Sequence, residues 1–211
     1  MRILVFGDSI GYGSWDSQGG WVERIKRKAH TATLTSSGQS KIQVLNLGIG
    51  GNTSSSILNR LESETESRKS ASWEFCFIFA FGTNDERTIN GSVETPLDKF
   101  IQNIKEVVEI SRKYSDKILF VGPPPLQDSM LDFNVHQYSD ERINRYDQAL
   151  KQTSAELGIS YLSTRPLFEK IGKEGLYCFD RLHPNDNGHA VIEKLVTPKI
   201  EELTGVKFNS N

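Results

Sequence analysis

Cysteine is scarce. The 211 residues hold two, Cys76 and Cys178, and no C-x-x-C or Cys/His spacing accompanies them, so neither a disulfide framework nor a metal site is encoded. Cys76 sits inside the apolar run Phe75–Phe81 and reads as a small core residue, Cys178 lies between Tyr177 and Phe179, and two free thiols is the simpler reading. Basic charge is not in excess either: 25 Lys plus Arg face 27 Asp plus Glu. That leaves nothing to neutralise a phosphate backbone and argues against nucleic acid as a partner. Long apolar runs are missing as well. The first, Ile3–Phe6, follows one Arg and stops at Gly7, too short for a membrane span or a signal-peptide core, so the chain as it stands reads as cytoplasmic. No internal repeat, charge block or low-complexity tract occurs, and the Ser/Thr-rich stretch from Thr31 to Ser40 is expected to be a surface loop. The length suits one domain over residues 1–211 with one core. Nothing in the pattern fixes an oligomeric state.

What the sequence does have is alternation. Short apolar runs at Ile3–Phe6, Val44–Leu47, Phe75–Phe81, Ile118–Val121 and Ile159–Leu162 recur with helical patterns between them. Runs apolar at every position fit parallel strands covered on both faces. Leu97, Phe100, Ile101, Ile104, Val107, Val108 and Tyr114 repeat at helical spacing. A second helix is expected from Ile143 to Leu157, with Gly158 at its C-terminus, and a third from His189 to Leu203, where Pro198 should kink or split it. The pattern predicts one doubly wound α/β domain of five strands, in which ligands lie beyond the carboxyl ends of the strands.

Three glycine-flanked polar turns follow the first three runs: Gly7-Asp8-Ser9-Ile10-Gly11, Gly48-Ile49-Gly50-Gly51-Asn52 and Gly82-Thr83-Asn84-Asp85. A serine on a strand-to-helix turn is a recurrent way to present a nucleophile, although Gly-Asp-Ser alone also makes an ordinary turn and cap. Such a serine needs a base, and there are four histidines. His30 falls in the polar loop, His136 in the long connection after Pro123–Pro125, and His189 in or near the last helix in a structural or solvent-facing role. His183 stands in Asp180-Arg181-Leu182-His183-Pro184-Asn185, where an Asp three residues ahead can fix the imidazole tautomer. Oxyanion donors are then available in the backbone N–H of Gly50, the side-chain amide of Asn84 and the N–H of Ser9.

These four segments in this order resemble the SGNH hydrolases, also called the GDSL esterase/lipase family, over Gly7 to His183. The blocks stand here as GDSI, GIGGNTS, GTND and DRLHPN, with Ile10 where many members have Leu. The resemblance implies a flavodoxin-like three-layer α/β/α fold with strand order 2-1-3-4-5, no metal and no organic cofactor. It implies a serine hydrolase of carboxylic acyl esters in which Ser9, Asp180 and His183 are catalytic and Ser9, Gly50 and Asn84 form the oxyanion hole. The partner is then a small-molecule ester, and members include lysophospholipases, thioesterases, arylesterases and enzymes that deacetylate sugars. Tyr12–Trp21 and Pro123–Tyr138 are expected to shape the pocket, with Trp15, Met130, Leu131 and Phe133 as candidate contacts. The competing class is a non-catalytic nucleotide- or flavin-binding module. It is disfavoured because Gly7 to Ser14 has no Lys and Thr53 stands where a dinucleotide fingerprint wants its third glycine.

Overall fold

The computed structural model describes residues 1–39 and 41–208. Five runs form parallel strands: β1 (Arg2–Gly7), β2 (Gln43–Gly48), β3 (Phe75–Ala80), β6 (Ile118–Val121) and β9 (Ser160–Leu162). Their order in the sheet is β2-β1-β3-β6-β9, which is the expected 2-1-3-4-5. The most apolar run, β3, takes the centre, where both faces are covered.

Among the described residues seven helices accompany the strands: α1 (Ser9–Tyr12), α2 (Gly20–Thr35), α3 (Ser54–Glu66), α4 (Leu97–Arg112), α5 (Asp140–Glu156), and, after the last strand, α6 (Arg165–Ile171) and α7 (Asp186–Thr204). Alternate side chains of β1 point to opposite faces. Ile3 and Val5 pack with Trp21 and Ile25 of α2 and Ile192 and Val196 of α7, while Leu4 and Phe6 pack with Ile57 of α3, Phe100 of α4 and Leu150 of α5. This gives the three-layer α/β/α arrangement. On the second face Phe6, Phe79 and Phe120 stack with centroids 5.5 and 5.3 Å apart, tying β1, β3 and β6 together.

Three expectations are corrected. Thr31–Thr35 and His30 belong to α2, not to a loop, because Ala29 and Ala32 are buried against the core and Thr31 and Thr35 bond back to the carbonyls of Arg27 and Thr31. Ser40, the last residue of that expected loop, lies outside the described residues. Secondly, of the kink or split expected at Pro198, the split does not occur: α7 runs through it as one element. Buried Ile192, Val196 and Ile200 hold it to the sheet on both sides of the proline. Thirdly, a separate antiparallel sheet was not expected at all. It is built from β4 (Thr88–Ile89), β5 (Ser92–Val93), β7 (Met130–Phe133) and β8 (His136–Ser139) in the order β5-β4-β8-β7. Among the described residues, no helix is long and apolar enough to cross a membrane.

Candidate active site

β1 and β2 end in register at Gly7 and Gly48, and Gly7 also pairs with Ala80 at the end of β3. The turns that follow therefore leave the sheet side by side. Asp8 is buried and caps α1, its Oδ1 accepting from the N–H groups of Ile10 (2.9 Å) and Gly11 (3.4 Å). Burial pushes its carboxyl up to about 6 against the pull of those backbone donors. Ser9 is thus the first residue of a pinned helix. Its Oγ lies 2.8 Å from His183 Nε2, and His183 Nδ1 lies 2.6 Å from Asp180 Oδ2. Asp180 Oδ1 accepts from the backbone N–H groups of Leu182 (3.1 Å) and His183 (3.0 Å).

Burial opposes the charge on Asp180, yet the His183 side chain and those backbone donors together hold its carboxyl below the usual carboxylate range. An ionised carboxylate only accepts, so His183 Nδ1 carries the proton and the lone pair of Nε2 faces the Ser9 hydroxyl. The loop bearing these residues is itself tied down. Cys178 N–H donates to His183 O at 2.8 Å, Arg181 takes a positive φ of 60°, and Asn185 caps α7 just beyond.

On the other side of Ser9, the β2–α3 turn presents Gly50. A Cβ added there would have one neighbour, Ser9 Cβ at 4.0 Å. Among the described residues, no hydrogen bond engages the N–H of Gly50 or of Ser9. Asn84 is buried, and its Nδ2 donates to Asn52 O at 3.0 Å, which sets the amide against the Gly50 turn. Next to it, buried Asp85 accepts from Ser54 N and Oγ at the start of α3. A carboxylate at a helix N-terminus is electrostatically favourable, and here it locks the second turn to the third. Burial nonetheless raises the Asp85 carboxyl to about 6, with the Ser54 bonds opposing.

The other histidines stay apart from this arrangement. His189 is fully buried, with Nδ1 accepting from Trp21 N–H at 3.3 Å, and His136 lies in β8. Of the expected contact residues, Trp15, Met130 and Phe133 are exposed, whereas Leu131 is buried in a small cluster with Leu126, Tyr138, Ile143 and Leu182. Leu131 is therefore withdrawn from the pocket. Two groups escaped the sequence reading. Phe179 is 83% exposed and packs on Trp15 at 5.9 Å, while Trp15 meets His183 edge-on at 6.4 Å. Arg87 and Tyr138 reach Asn84. Phe179 stood one residue ahead of Asp180, a signal that was available; Tyr138 closes the Pro123–Tyr138 segment expected to shape the pocket, but nothing marked its contact with Asn84. Among the described residues, no group of three or more His, Cys, Asp or Glu is placed to hold a metal ion.

Comparison with known proteins agrees with the fold. The chain matches a structure of an acetylxylan esterase from Geobacillus stearothermophilus with a TM-score of 0.73 at 18% identity, over 100% of this chain and 96% of that one. A lipase/acylhydrolase from Enterococcus faecalis matches with a TM-score of 0.73 at 21% identity, over 100% of this chain and 99% of the other. At such identities these likenesses carry the fold. In sequence, the uncharacterized lipoprotein YqeF of Bacillus subtilis (strain 168) is 27% identical over 139 residues, which are 65% of this chain and 54% of that protein. The match thus spans about half the length of that curated relative. Residues 5–191 match the profile of the GDSL-like Lipase/Acylhydrolase family, and the chain belongs to that family of ester hydrolases.

Proposed function

We propose that the chain hydrolyses carboxylic esters through an acyl-enzyme at Ser9, and that its substrates are small esters of ring-bearing alcohols, O-acetylated sugars foremost. The first half rests on one observation, the continuous hydrogen-bonded chain from Ser9 Oγ through His183 to Asp180. Ser9 Oγ attacks the carbonyl carbon and its proton passes to His183 Nε2, while Asp180 stabilises the imidazolium. The oxyanion lies against the N–H groups of Ser9 and Gly50 and the amide of Asn84. Collapse breaks the ester C–O bond, and His183 returns the proton to the departing alcohol. Water then attacks the acyl-enzyme with His183 again as base, releasing the acid and Ser9.

The second half rests on where that alcohol leaves. His183 must reach the leaving oxygen, so the alcohol lies beside His183, where exposed Trp15 and Phe179 stand. Trp15 has a φ of 66°, an uncommon backbone state for a bulky residue, and it keeps the indole outside the core. From Trp15 an open groove of about 610 Å³ runs past Tyr12, Glu23 and Asn46. Aromatic faces mixed with polar side chains suit a sugar ring, and the Geobacillus structural neighbour is an acetylxylan esterase.

Ser9→Ala is expected to abolish turnover and labelling by a fluorophosphonate probe while the circular dichroism spectrum stays unchanged. Wild-type turnover by that folded variant would remove the mechanism. For the alcohol, Trp15→Ala is expected to lower kcat/KM for an acetylated xyloside roughly fivefold to tenfold more than for ethyl acetate, the worth of one aromatic contact. An equal loss on both esters sinks the ring-bearing reading and leaves the mechanism standing.

A further inference from the structure

The small antiparallel sheet stands outside the layered core, yet it ends against the donor side of the site. Arg87 Nη1 and the Tyr138 hydroxyl both donate to Asn84 Oδ1 at 3.2 Å, and Arg87 Nη1 also donates to the Tyr138 oxygen at 3.4 Å. Arg87 precedes β4 and is held by the Glu94 carboxylate just past β5. Tyr138 sits in β8, 5% exposed. A guanidinium has donors and no acceptor, so the amide atom facing Arg87 must be the oxygen. That fixes the flip of Asn84: Oδ1 faces Arg87 and Tyr138, and Nδ2 faces the Gly50–Asn52 turn. Asn52 O takes one Nδ2 hydrogen. Among the described residues the second has no partner.

We infer that Arg87 and Tyr138 are positioning residues for oxyanion stabilisation, orienting Asn84 and polarising its amide so that the uncommitted Nδ2–H becomes a stronger donor. This rests on the reading of Asn84 as an oxyanion donor given above. The physical reason is amide resonance. A positive charge and a hydroxyl on the carbonyl oxygen draw density from the nitrogen, and hydrogen bonds in such a chain strengthen one another by roughly 10–30% each. Orientation matters at least as much. A donor held in place before reaction costs no reorganisation when the oxyanion forms, whereas a free amide could turn its oxygen toward the developing charge. The β4/β5/β7/β8 sheet then has a purpose: it brings two donors, Arg87 beside β4 and Tyr138 in β8, to the amide oxygen of Asn84.

The test is a double-mutant cycle on one activated short-chain ester, reading kcat and KM separately. Asn84→Ala is expected to lower kcat by on the order of 10²–10³-fold. Arg87→Ala should lower kcat about tenfold or more with KM within about threefold, Arg87→Lys should recover part of the loss, and Tyr138→Phe should show a smaller loss of the same kind. The double variant Asn84→Ala/Arg87→Ala should be no slower than Asn84→Ala alone, because Arg87 acts only through the amide. Glu94→Gln, which removes the carboxylate that holds Arg87, should show a smaller loss of kcat of the same kind, with KM within about threefold of wild type. Should Arg87→Ala misfold, Tyr138→Phe carries the same cycle with the loss of one oxygen. A defective Asn84→Ala beside a fully active Arg87→Ala, or losses that multiply in the double variant, overturns the inference alone. A fully active Asn84→Ala overturns the oxyanion reading and this inference with it.

Discussion

In the proposed mechanism single residues set the chemistry, and Asp180 shows how narrowly. Its Oδ1 is spent on the N–H groups of Leu182 and His183, so Oδ2 alone faces the imidazole. In Asp180→Asn the amide oxygen is drawn to those two backbone donors, which places the NH2 against His183 Nδ1. Nδ1 must then accept, the proton moves to Nε2, and the base is in the wrong tautomer. The expected result is a fall in kcat of about 10³–10⁴-fold with little change in KM. An Asp180→Asn enzyme within tenfold of wild type contradicts the tautomer argument. Gly50 makes a second case. Its backbone does not need glycine, since its φ lies outside the left-handed region and an added Cβ would meet only Ser9 Cβ at 4.0 Å. Gly50→Ala is therefore expected to unfold within about 1 kcal/mol of wild type in a denaturant titration and still lose most of its kcat/KM, because the methyl stands against the Ser9 side chain. A large stability loss would make Gly50 a structural residue instead. That Ser9, Asp180 and His183 come together in one hydrogen-bonded chain could be read in the sequence because each is marked locally, by a strand-end glycine or by a three-residue Asp–His spacing. The pairing of Tyr138 with Asn84 could not, since the two stand 54 residues apart.

Elements follow the same division between local and distant information. The five parallel strands were legible because continuous apolar runs are what burial on both faces demands, and α4 because its apolar stripe is regular. The second sheet was not: β4 and β5 are two residues each, and in β7 only Leu131 is buried, so no run or alternation announces them. Their pairing is decided by contacts of β4 with β8, far along the chain. The Ser/Thr stretch misled for the opposite reason, as tertiary burial of Ala29 and Ala32 extended α2 over residues with poor helix preference. Where α1 meets β2 the fit is close enough to test. A Cβ at Gly48 would stand 2.3 Å from Tyr12 N, inside the helix that begins with Ser9. Gly48→Ala is expected to cost about 1–3 kcal/mol in a denaturant titration and to lower kcat even at temperatures where the variant is fully folded, since α1 must shift. Unchanged kcat in the folded variant would mean that Ser9 does not depend on α1 packing against β2.

At the scale of the whole molecule, the layer made by α2 and α7 meets the rim that carries His183 at the start of α7, and His189 is the joint between its two helices. It lies fully buried beside the start of α2, taking the N–H of Trp21 on Nδ1, and Asp16, Arg24 and His183 are the titratable groups that act on it. Burial lowers its pKa from 6.5 to about 4, with the Asp16 charge opposing and Arg24 assisting. The folded chain therefore keeps His189 neutral where the unfolded chain already binds a proton. The stability it contributes is present above about pH 6.5 and is lost as pH falls toward 4, by up to about 3 kcal/mol. Buried Asp8 and Asp85, both raised to about 6, act in the opposite sense: they favour the folded state at low pH and give up that contribution as pH rises through 6. The wild-type curve alone would thus blend the two effects, and a variant separates them. His189→Asn keeps an acceptor for Trp21 N–H and removes the titration. In denaturant unfolding it should be the less stable protein at pH 7.5, from the smaller side chain, and its deficit relative to wild type should shrink steadily between pH 6.5 and 4.5. A deficit that stays constant over that interval would show that His189 carries no proton debt in the fold, and that the α2–α7 joint is held by packing alone.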